Sequence, residues 1–196
     1  MSKFLSFRFF TMIRLQDKYK KEVIPRMVEK FGYKNVMAVP KIEKVVLNIG
    51  IGRLLQDRSQ KEKEKIYQPI LDCVAQIAGQ KPILTTAKKS IAGFKIREGL
   101  PVGVKVTLRG KRMEDFLERL VHVALPRSRD FEGIDPKSFD KTGNLTIGIK
   151  EHIVFPEISA EREEKIFSFE ITITTTAKTR EEGTELLRSL GFPIRS

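Results

Sequence analysis

The sequence has no tryptophan, a single cysteine and only two histidines among its 196 residues. One cysteine cannot form an internal disulfide, which suits a reducing compartment. Cys73 lies in an apolar helical register with Ile70, Val74 and Ile77, so we interpret it as a packing residue and not as a reactive thiol. No run of about 18 apolar residues is present, so no transmembrane helix is predicted. These absences exclude disulfide-stapled scaffolds and helical membrane proteins.

Motifs that carry catalysis are also missing. There is no nucleophile-elbow serine motif, and the two histidines are not close together in the sequence. Gly50-Ile51-Gly52 lacks the third glycine of a dinucleotide-binding fingerprint. The nearest approach to a catalytic cluster is Glu151, His152 and Glu157, which we interpret as part of a turn before Pro156. We therefore predict a non-enzyme that needs no metal and no cofactor.

Positive charge is concentrated in residues 80–112, which hold nine lysine or arginine side chains and one acid, Glu98. The whole chain has a formal net charge of +12, whereas residues 113–196 carry four more acidic than basic side chains. Such a cluster is typical of a nucleic-acid-binding surface. The alternative is a solvated face that only keeps the protein in solution. Because the charge follows a strand pattern, we favour binding.

Hydrophobic periodicity divides the chain into alternating helices and strands. Helical spacing predicts helices near 15–31, 60–78, 113–124 and 180–190, and strand alternation predicts strands near 41–50, 82–88, 103–109, 145–149 and 167–174. Pro25 should kink the first helix or split it in two, and Pro69 could reset the second. Residues 1–11 are basic, aromatic and free of acids, and we expect a disordered N-terminal extension. The predicted fold is α+β, with a mostly antiparallel sheet and helices packed on one face.

The other face of this sheet is predicted to be open, polar and basic. Along two strands, alternation buries the aliphatic residues and exposes Lys44 and Asn48 on one strand, and Lys105 and Thr107 on the other. Cations and hydroxyl groups arranged in this way can contact a phosphate backbone. The amides of Asn48 and Gln80 can reach base edges or ribose hydroxyls. The pattern therefore predicts an RNA-reading surface.

A long basic loop, residues 90–102, joins two of these strands. Its glycines and its proline discourage regular structure, so we expect a mobile arm that becomes ordered against RNA. Phe94 lies between cations and could stack on a base. It could equally be tucked back onto the protein, and the residues alone leave both interpretations open.

At this point the motifs resemble those of a known family. The run VAQIAGQKPILTTAKKSIAGFKIREGLPVGVKVTLRG is preceded by YKNVMAVPKIEKVVLNIGIG and followed by RDFEGI, FDKTGN, GIKEHIVFPEI, TITTTAKT and LLRSLGFP. In content and order these resemble the L-five family of bacterial large-subunit ribosomal proteins. The resemblance covers residues 12–196, which we therefore expect to form a single RNA-binding ribosomal domain.

The resemblance implies a structural role in the central protuberance of the cytoplasmic ribosome. It implies 5S ribosomal RNA binding through the open face, with specific contacts at Asn48, Gln80 and Thr107. The full set of predicted 5S contacts is Lys44, Asn48, Gln80, Lys81, Thr85, Lys105, Thr107 and Arg109. Neighbouring 5S-associated ribosomal proteins are further expected partners.

Two other surfaces have implied partners. The loop should contact 23S ribosomal RNA and the elbow of the P-site tRNA through Lys88, Lys89, Ser90, Phe94, Lys95 and Arg97. A bridge to small-subunit ribosomal protein S-thirteen should involve Arg127, Arg129, Asp130, Phe131, Asp140 and Asn144. No membrane partner is expected.

The chain also departs from the family pattern. The segment between Asn48 and Gln80 is several residues longer than usual, and Glu132 stands where an arginine is common. FDKTGN also departs from the usual FDGRGN-like motif, and the change at Glu132 removes positive charge from the bridge loop. The alternative function is a protein-interaction module that uses the acidic C-terminal half as its main surface.

Overall fold

The computed structural model describes residues 14–55, 58–129, 131–158 and 166–195. The predicted N-terminal extension, residues 1–11, and the predicted contact residue Asp130 lie outside these ranges. The statements below concern the described residues.

A five-stranded antiparallel sheet forms the centre of the protein. The strands are β1 (Ile42–Gly50), β2 (Ile83–Thr86), β3 (Pro101–Leu108), β4 (Leu145–Ile149) and β5 (Phe169–Thr175), in the spatial order β2-β3-β1-β5-β4. All four pairings are antiparallel. β2 is shorter than the predicted strand 82–88, and β1 and β3 match their predicted alternation.

Helices make up the second layer. The α-helical segments are Leu15–Lys18, Ile24–Phe31, Gln60–Ala78, Gly110–Arg119, Leu125–Arg127 and Arg180–Leu190, and the π-helical segments are Tyr19–Val23 and Leu120–Ala124. Ser59 caps the long helix Gln60–Ala78 in a complete capping box with Glu62. The C-terminal helix has only one of the two hydrogen bonds of a capping box. The Thr179 hydroxyl accepts from the main-chain N of Glu182, but the Glu182 carboxylate accepts from the main-chain N of Lys178 and not from that of Thr179.

Proline shapes two of these helices in the same way. The π-helical segments Tyr19–Val23 and Leu120–Ala124 each come just before an α-helical segment whose second residue is a proline, Pro25 or Pro126. Proline donates no hydrogen bond and its ring clashes with the preceding turn, and a widened turn relieves that clash. The expected interruption at Pro25 is thus a π-helical turn. The helix Gln60–Ala78 continues through Pro69 without the reset that we considered.

One hydrophobic core lies between the sheet and the helices. Aliphatic residues of β1, β3 and β5 are buried in a single cluster with residues of every long helix, including Phe116, Leu120 and Leu187. Cys73 is 2% exposed inside this cluster, which confirms its packing role. The α+β fold with helices on one face is therefore confirmed.

The alternate residues of the strands point away from the helices and form what we call the open face. By strand register, its members are Lys44, Val46, Asn48 and Gly50 of β1, Ile83 and Thr85 of β2, Gly103, Lys105 and Thr107 of β3, Thr146 and Gly148 of β4, and Glu170, Thr172 and Thr174 of β5.

Candidate nucleic-acid interface

Three strands bring the predicted reading residues into neighbouring rows on the open face. β1 pairs with β3 so that Asn48 lies opposite Lys105 and Val46 lies opposite Thr107. On the other side of β1, Glu170 of β5 lies opposite Asn48. Paired strands are about 4.8 Å apart, so side chains in one row are neighbours. A row of lysine, amide and carboxylate therefore crosses β3, β1 and β5.

Gln80 lies at the edge of this surface, shortly before β2, and two hydrogen bonds hold it. Its Nε2 donates to the main-chain oxygen of Thr107 over 3.2 Å, and Nη1 of Arg112 donates to its Oε1 over 3.3 Å. The amide is thereby oriented next to Thr107, with one N–H and one lone pair left for a ligand. Arg112 was not among the predicted site residues, and the structure gives it a positioning role.

Thr85 of β2 packs over a glycine on the same face. It lies opposite Gly103 of β3. A Cβ added to Gly103 would lie 2.8 Å from Oγ1 of Thr85 and 3.0 Å from the main-chain oxygen of Ile49. A side chain at position 103 would thus push Thr85 away, and its Cβ would lie 4.0 Å from Oδ1 of Asn48.

The other predicted cations surround this surface. Lys44 lies on β1 opposite Thr174. Lys81 is exposed before β2, and Arg109 is exposed one residue beyond the end of β3, where it precedes the helix Gly110–Arg119. The predicted 5S contacts therefore gather around β1, β2 and β3, and their contact with RNA stays a prediction.

Several residues of the open face are not among the predicted contacts, and two of them carry exposed side chains, Ile83 and Glu170. Ile83 lies opposite Lys105 and is 62% exposed. Glu170 is exposed opposite Asn48. The alternation of Phe169 with Ile171 already turned Glu170 outward and could have identified it. The place of Ile83 depends on how β2 pairs with β3, for which the sequence holds no comparable signal.

The loop 90–102 is more regular than expected. Ile91 and Ile96 form an antiparallel bridge around a 3₁₀ turn, Ala92–Phe94. Nearer the sheet, the main chains of Ala87 and Leu100 are hydrogen-bonded over 2.9 Å. The isolated bridge and the 3₁₀ turn are the only regular elements between Ser90 and Leu100, as glycine and proline lead one to expect, but local main-chain hydrogen bonds close the loop into a hairpin.

The side chains of this loop face outward. Phe94 is 65% exposed, which contradicts the interpretation in which it is tucked back onto the protein. All the predicted contact residues here are exposed, namely Lys88, Lys89, Ser90, Phe94, Lys95 and Arg97. The hairpin thus presents an aromatic ring among cations.

A basic cleft of about 570 Å³ lies between this hairpin and the start of the helix Gln60–Ala78. The charged residues among its described lining are Arg58, Lys63, Lys95 and Arg97, all of them cations. Arg58 lies just before the helix and Lys63 lies in its first turn, so the start of the helix adds positive charge beside the hairpin.

The loop from Asp140 to Asn144, part of the predicted bridge surface, is held by hydrogen bonds within the protein. Asp140 Oδ1 accepts from the main-chain N of Thr142 (2.9 Å) and of Asn144 (2.8 Å), and Asn144 Oδ1 accepts from the main-chain N of Thr175 (2.9 Å). Burial acts to raise the pKa of Asp140, but the hydrogen bonds from Asn144 and Thr142 outweigh it and lower that pKa. Asp140 and Asn144 thus fix this loop against β5.

The rest of the predicted bridge surface is more open. Arg127 and Arg129 are exposed, whereas Phe131 is half-buried and packs against the core. Glu132 forms an ion pair with Arg195, and Arg195 also donates to the main-chain oxygen of Glu132. Glu132 therefore holds the C-terminal segment at Arg195.

The cluster of Glu151, His152 and Glu157 is structural. His152 is fully buried in a 3₁₀ turn, stacks on Phe167 at 4.0 Å, and its Nδ1 accepts from the main-chain N of Phe167. Glu157 forms an ion pair with Arg119. This arrangement confirms the interpretation as a turn. The described residues contain no group of His, Cys, Asp or Glu side chains placed to hold a metal.

The chain is similar to known ribosomal proteins along most of its length. Residues 35–97 match the family "Ribosomal protein L5", and residues 101–194 match the "ribosomal L5P family C-terminus". The large ribosomal subunit protein uL5 of Halothermothrix orenii is 54% identical over 92% of this chain and 97% of its own length. The proteins of the same name from Thermoanaerobacter and Syntrophomonas wolfei are 54% and 52% identical, over 93% and 94% of this chain and 99% and 100% of theirs.

These matches also confirm the predicted placement on the cytoplasmic ribosome and the absence of enzymatic function. Within the part of the chain that the structure describes, no helix has the length and apolar character needed to cross a membrane. The chain therefore belongs to the L5 family of ribosomal proteins, which are structural constituents of the large ribosomal subunit.

Proposed function

We propose that this protein binds 5S ribosomal RNA through the open face, on the side formed by β1, β2 and β3. The observation that carries the proposal is the ordered group of Asn48, Lys105, Thr107 and Gln80. Two amides and a hydroxyl lie beside a lysine, and one amide is already oriented by hydrogen bonds. Such a surface combines phosphate contact with base or ribose readout.

The hairpin is proposed to contact 23S ribosomal RNA and the elbow of the P-site tRNA. Its exposed Phe94 can stack on an unpaired base, and its cations can contact the flanking phosphates. The basic cleft with Arg58 and Lys63 supports the same interpretation, because it extends the positive surface from the hairpin to the helix.

A third surface is proposed to form the bridge to small-subunit ribosomal protein S-thirteen within the central protuberance. Arg127 and Arg129 are exposed, hydrogen bonds hold the loop from Asp140 to Asn144 in place, and the chain beyond residue 112 is acidic as a whole. Such mixed charge suits a polar rim contact with a basic protein, which affects association and register more than affinity. Neighbouring 5S-associated ribosomal proteins would complete the assembly.

The proposal is tested by titrating the full chain with 5S ribosomal RNA at a series of salt concentrations. Each phosphate contact contributes about −0.7 to −0.9 to the slope of log affinity against log salt. Contacts by four cations, Lys44, Lys81, Lys105 and Arg109, should give a slope of about −3. An unrelated RNA of equal length is the control and should bind more weakly at every salt concentration.

A flat salt response, or equal binding of the two RNAs, would refute the proposal. The rival function as a protein-interaction module of the acidic C-terminal half predicts this second outcome. It also predicts that little RNA accompanies the protein through purification at low salt.

A further inference from the structure

Glu170 is an unexpected residue on a surface that is proposed to bind RNA. It is the only carboxylate of the open face as defined by the described strands, and it lies opposite Asn48. Its side chain is exposed and makes no ion pair or hydrogen bond with the described residues. An uncompensated carboxylate repels RNA phosphates, so its presence beside the reading amide calls for a specific ligand.

A depression of about 520 Å³ opens next to this carboxylate. Its polar and glycine lining consists of Asn48, Gly50, Thr146, Gly148, Lys150, Ser168 and Glu170. A Cβ added to Gly50 or to Gly148 would meet nothing within 4 Å, so the hollow exists because these two positions lack side chains. The depression is shallow and open to solvent, so a group entering from a bound RNA can reach it.

We propose that this depression receives an unpaired guanine of the bound RNA, with the Glu170 carboxylate accepting hydrogen bonds from N1–H and N2–H of the base. This inference rests on the proposed function, because it requires RNA on the open face. An ionised carboxylate can only accept hydrogen bonds, and its two oxygens match two adjacent donors. Proteins commonly read RNA by taking unstacked bases from loops and bulges and bonding to their Watson–Crick edges.

The pattern of donors decides which base fits. Guanine presents two adjacent N–H groups on its Watson–Crick edge, whereas adenine and cytosine each present a ring nitrogen acceptor that the carboxylate repels. Uracil presents one N–H between two carbonyl oxygens. Lys105 lies two strands from Glu170 in the same row, and Lys150 lies in the lining of the depression, so cations are available for the phosphates that flank the base.

The first experiment compares Glu170→Gln with Glu181→Gln in the 5S RNA salt series. Glu181 is an exposed acid at the start of the C-terminal helix, so both variants remove one negative charge. If Glu170 only adds charge, both variants bind RNA as tightly as the original chain or more tightly. If Glu170 reads a base, Glu170→Gln should bind about tenfold more weakly or worse with an unchanged salt slope, because a hydrogen bond to a charged group is lost.

The second experiment identifies the base. Short oligouridylates with one central guanosine, inosine, adenosine or cytidine are titrated with the full chain. Guanosine should bind best, inosine less well because it lacks the N2 amine, and the others weakest. Glu170→Gln should remove this order, and Gly148→Val should do the same by filling the hollow, with its fold checked by circular dichroism.

The results separate the two levels of the proposal. If the unsubstituted chain shows no salt-dependent binding of 5S RNA, the proposed function itself is refuted. Normal binding with no effect of Glu170→Gln, or with no preference for guanosine, would refute only the guanine site.

Discussion

Replacing Asn48 by alanine tests whether the open face reads RNA or only attracts it. Asn48 is exposed in the middle of β1, and its side chain forms no hydrogen bond with the residues that the structure describes. The substitution should therefore change the free energy of unfolding by no more than about 0.5 kcal/mol. Any larger loss of RNA affinity then belongs to the interface and not to the fold.

The expected loss follows from the partner that alanine leaves behind. A polar RNA group that faced the Asn48 amide would become buried without a hydrogen bond, which costs about 1–3 kcal/mol. This corresponds to an affinity about 5 to 140 times lower. Because asparagine is neutral, no phosphate contact is lost and the salt slope should stay constant.

Lys105→Gln is the matched variant, because Lys105 lies opposite Asn48 on β3. It removes one cation and should make the salt slope shallower by about 0.7–0.9. Both variants are measured by titration of 5S RNA over one salt series, and thermal unfolding monitored by circular dichroism checks the fold. If Asn48→Ala binds like the original chain, or if it changes the slope as Lys105→Gln does, the proposed reading role of Asn48 is refuted.

Three further predictions concern the rest of the molecule. Gly183→Ala should destabilise the protein by about 3 kcal/mol, since its Cβ would lie 2.3 Å from the main-chain oxygen of Gly143, whereas Gly148→Ala in open space should be nearly neutral in denaturant unfolding. Because the pKa of Asp140 is lowered in the folded protein, its contribution to stability is present above its unfolded pKa of about 4 and is lost as the pH falls through the folded pKa. The difference in the free energy of unfolding between the unsubstituted chain and Asp140→Asn, measured by denaturant unfolding, should therefore shrink between pH 7 and pH 3. A difference that stays constant over this range would contradict the prediction. Phe94→Ala should leave the affinity for 5S RNA unchanged but make P-site tRNA dissociate from ribosomes about fivefold faster, because a ring–base stacking interaction of about 1 kcal/mol is lost. Phe94→Tyr keeps an aromatic ring and should behave like the unsubstituted chain.

Much of the fold could be predicted because local patterns and the global structure agree. The alternation in KIEKVVLNIG and VGVKVTLRG is a property of each strand by itself, so it placed Asn48, Lys105 and Thr107 on one face before any pairing was known. The helix caps are likewise local features, because Ser59 and Glu62, three residues apart, form the capping box of the helix Gln60–Ala78 without any distant contact.

The parts that could not be predicted depend on contacts between distant segments. No local pattern distinguishes Arg112 from the other basic residues, yet its guanidinium donates a hydrogen bond to the side chain of Gln80, 32 positions away. The hairpin fold of residues 90–102 depends on main-chain hydrogen bonds that glycine and proline content does not exclude. The ion pair of Glu132 with Arg195 likewise joins two segments whose proximity no local pattern indicates.

Charge and readout are separable on this surface. Lysines and arginines at its margins, such as Lys44, Lys81 and Arg109, can attract any RNA, because phosphates are the same in every sequence. The central row is different, since it places three kinds of hydrogen-bonding group at neighbouring positions. Lys105 can only donate, the Asn48 amide can both donate and accept, and the Glu170 carboxylate can only accept. A one-residue slip between β1 and either neighbour would break this row while leaving the net charge unchanged. On the proposed function, specificity for a particular RNA therefore depends on strand register, which the cations alone do not encode.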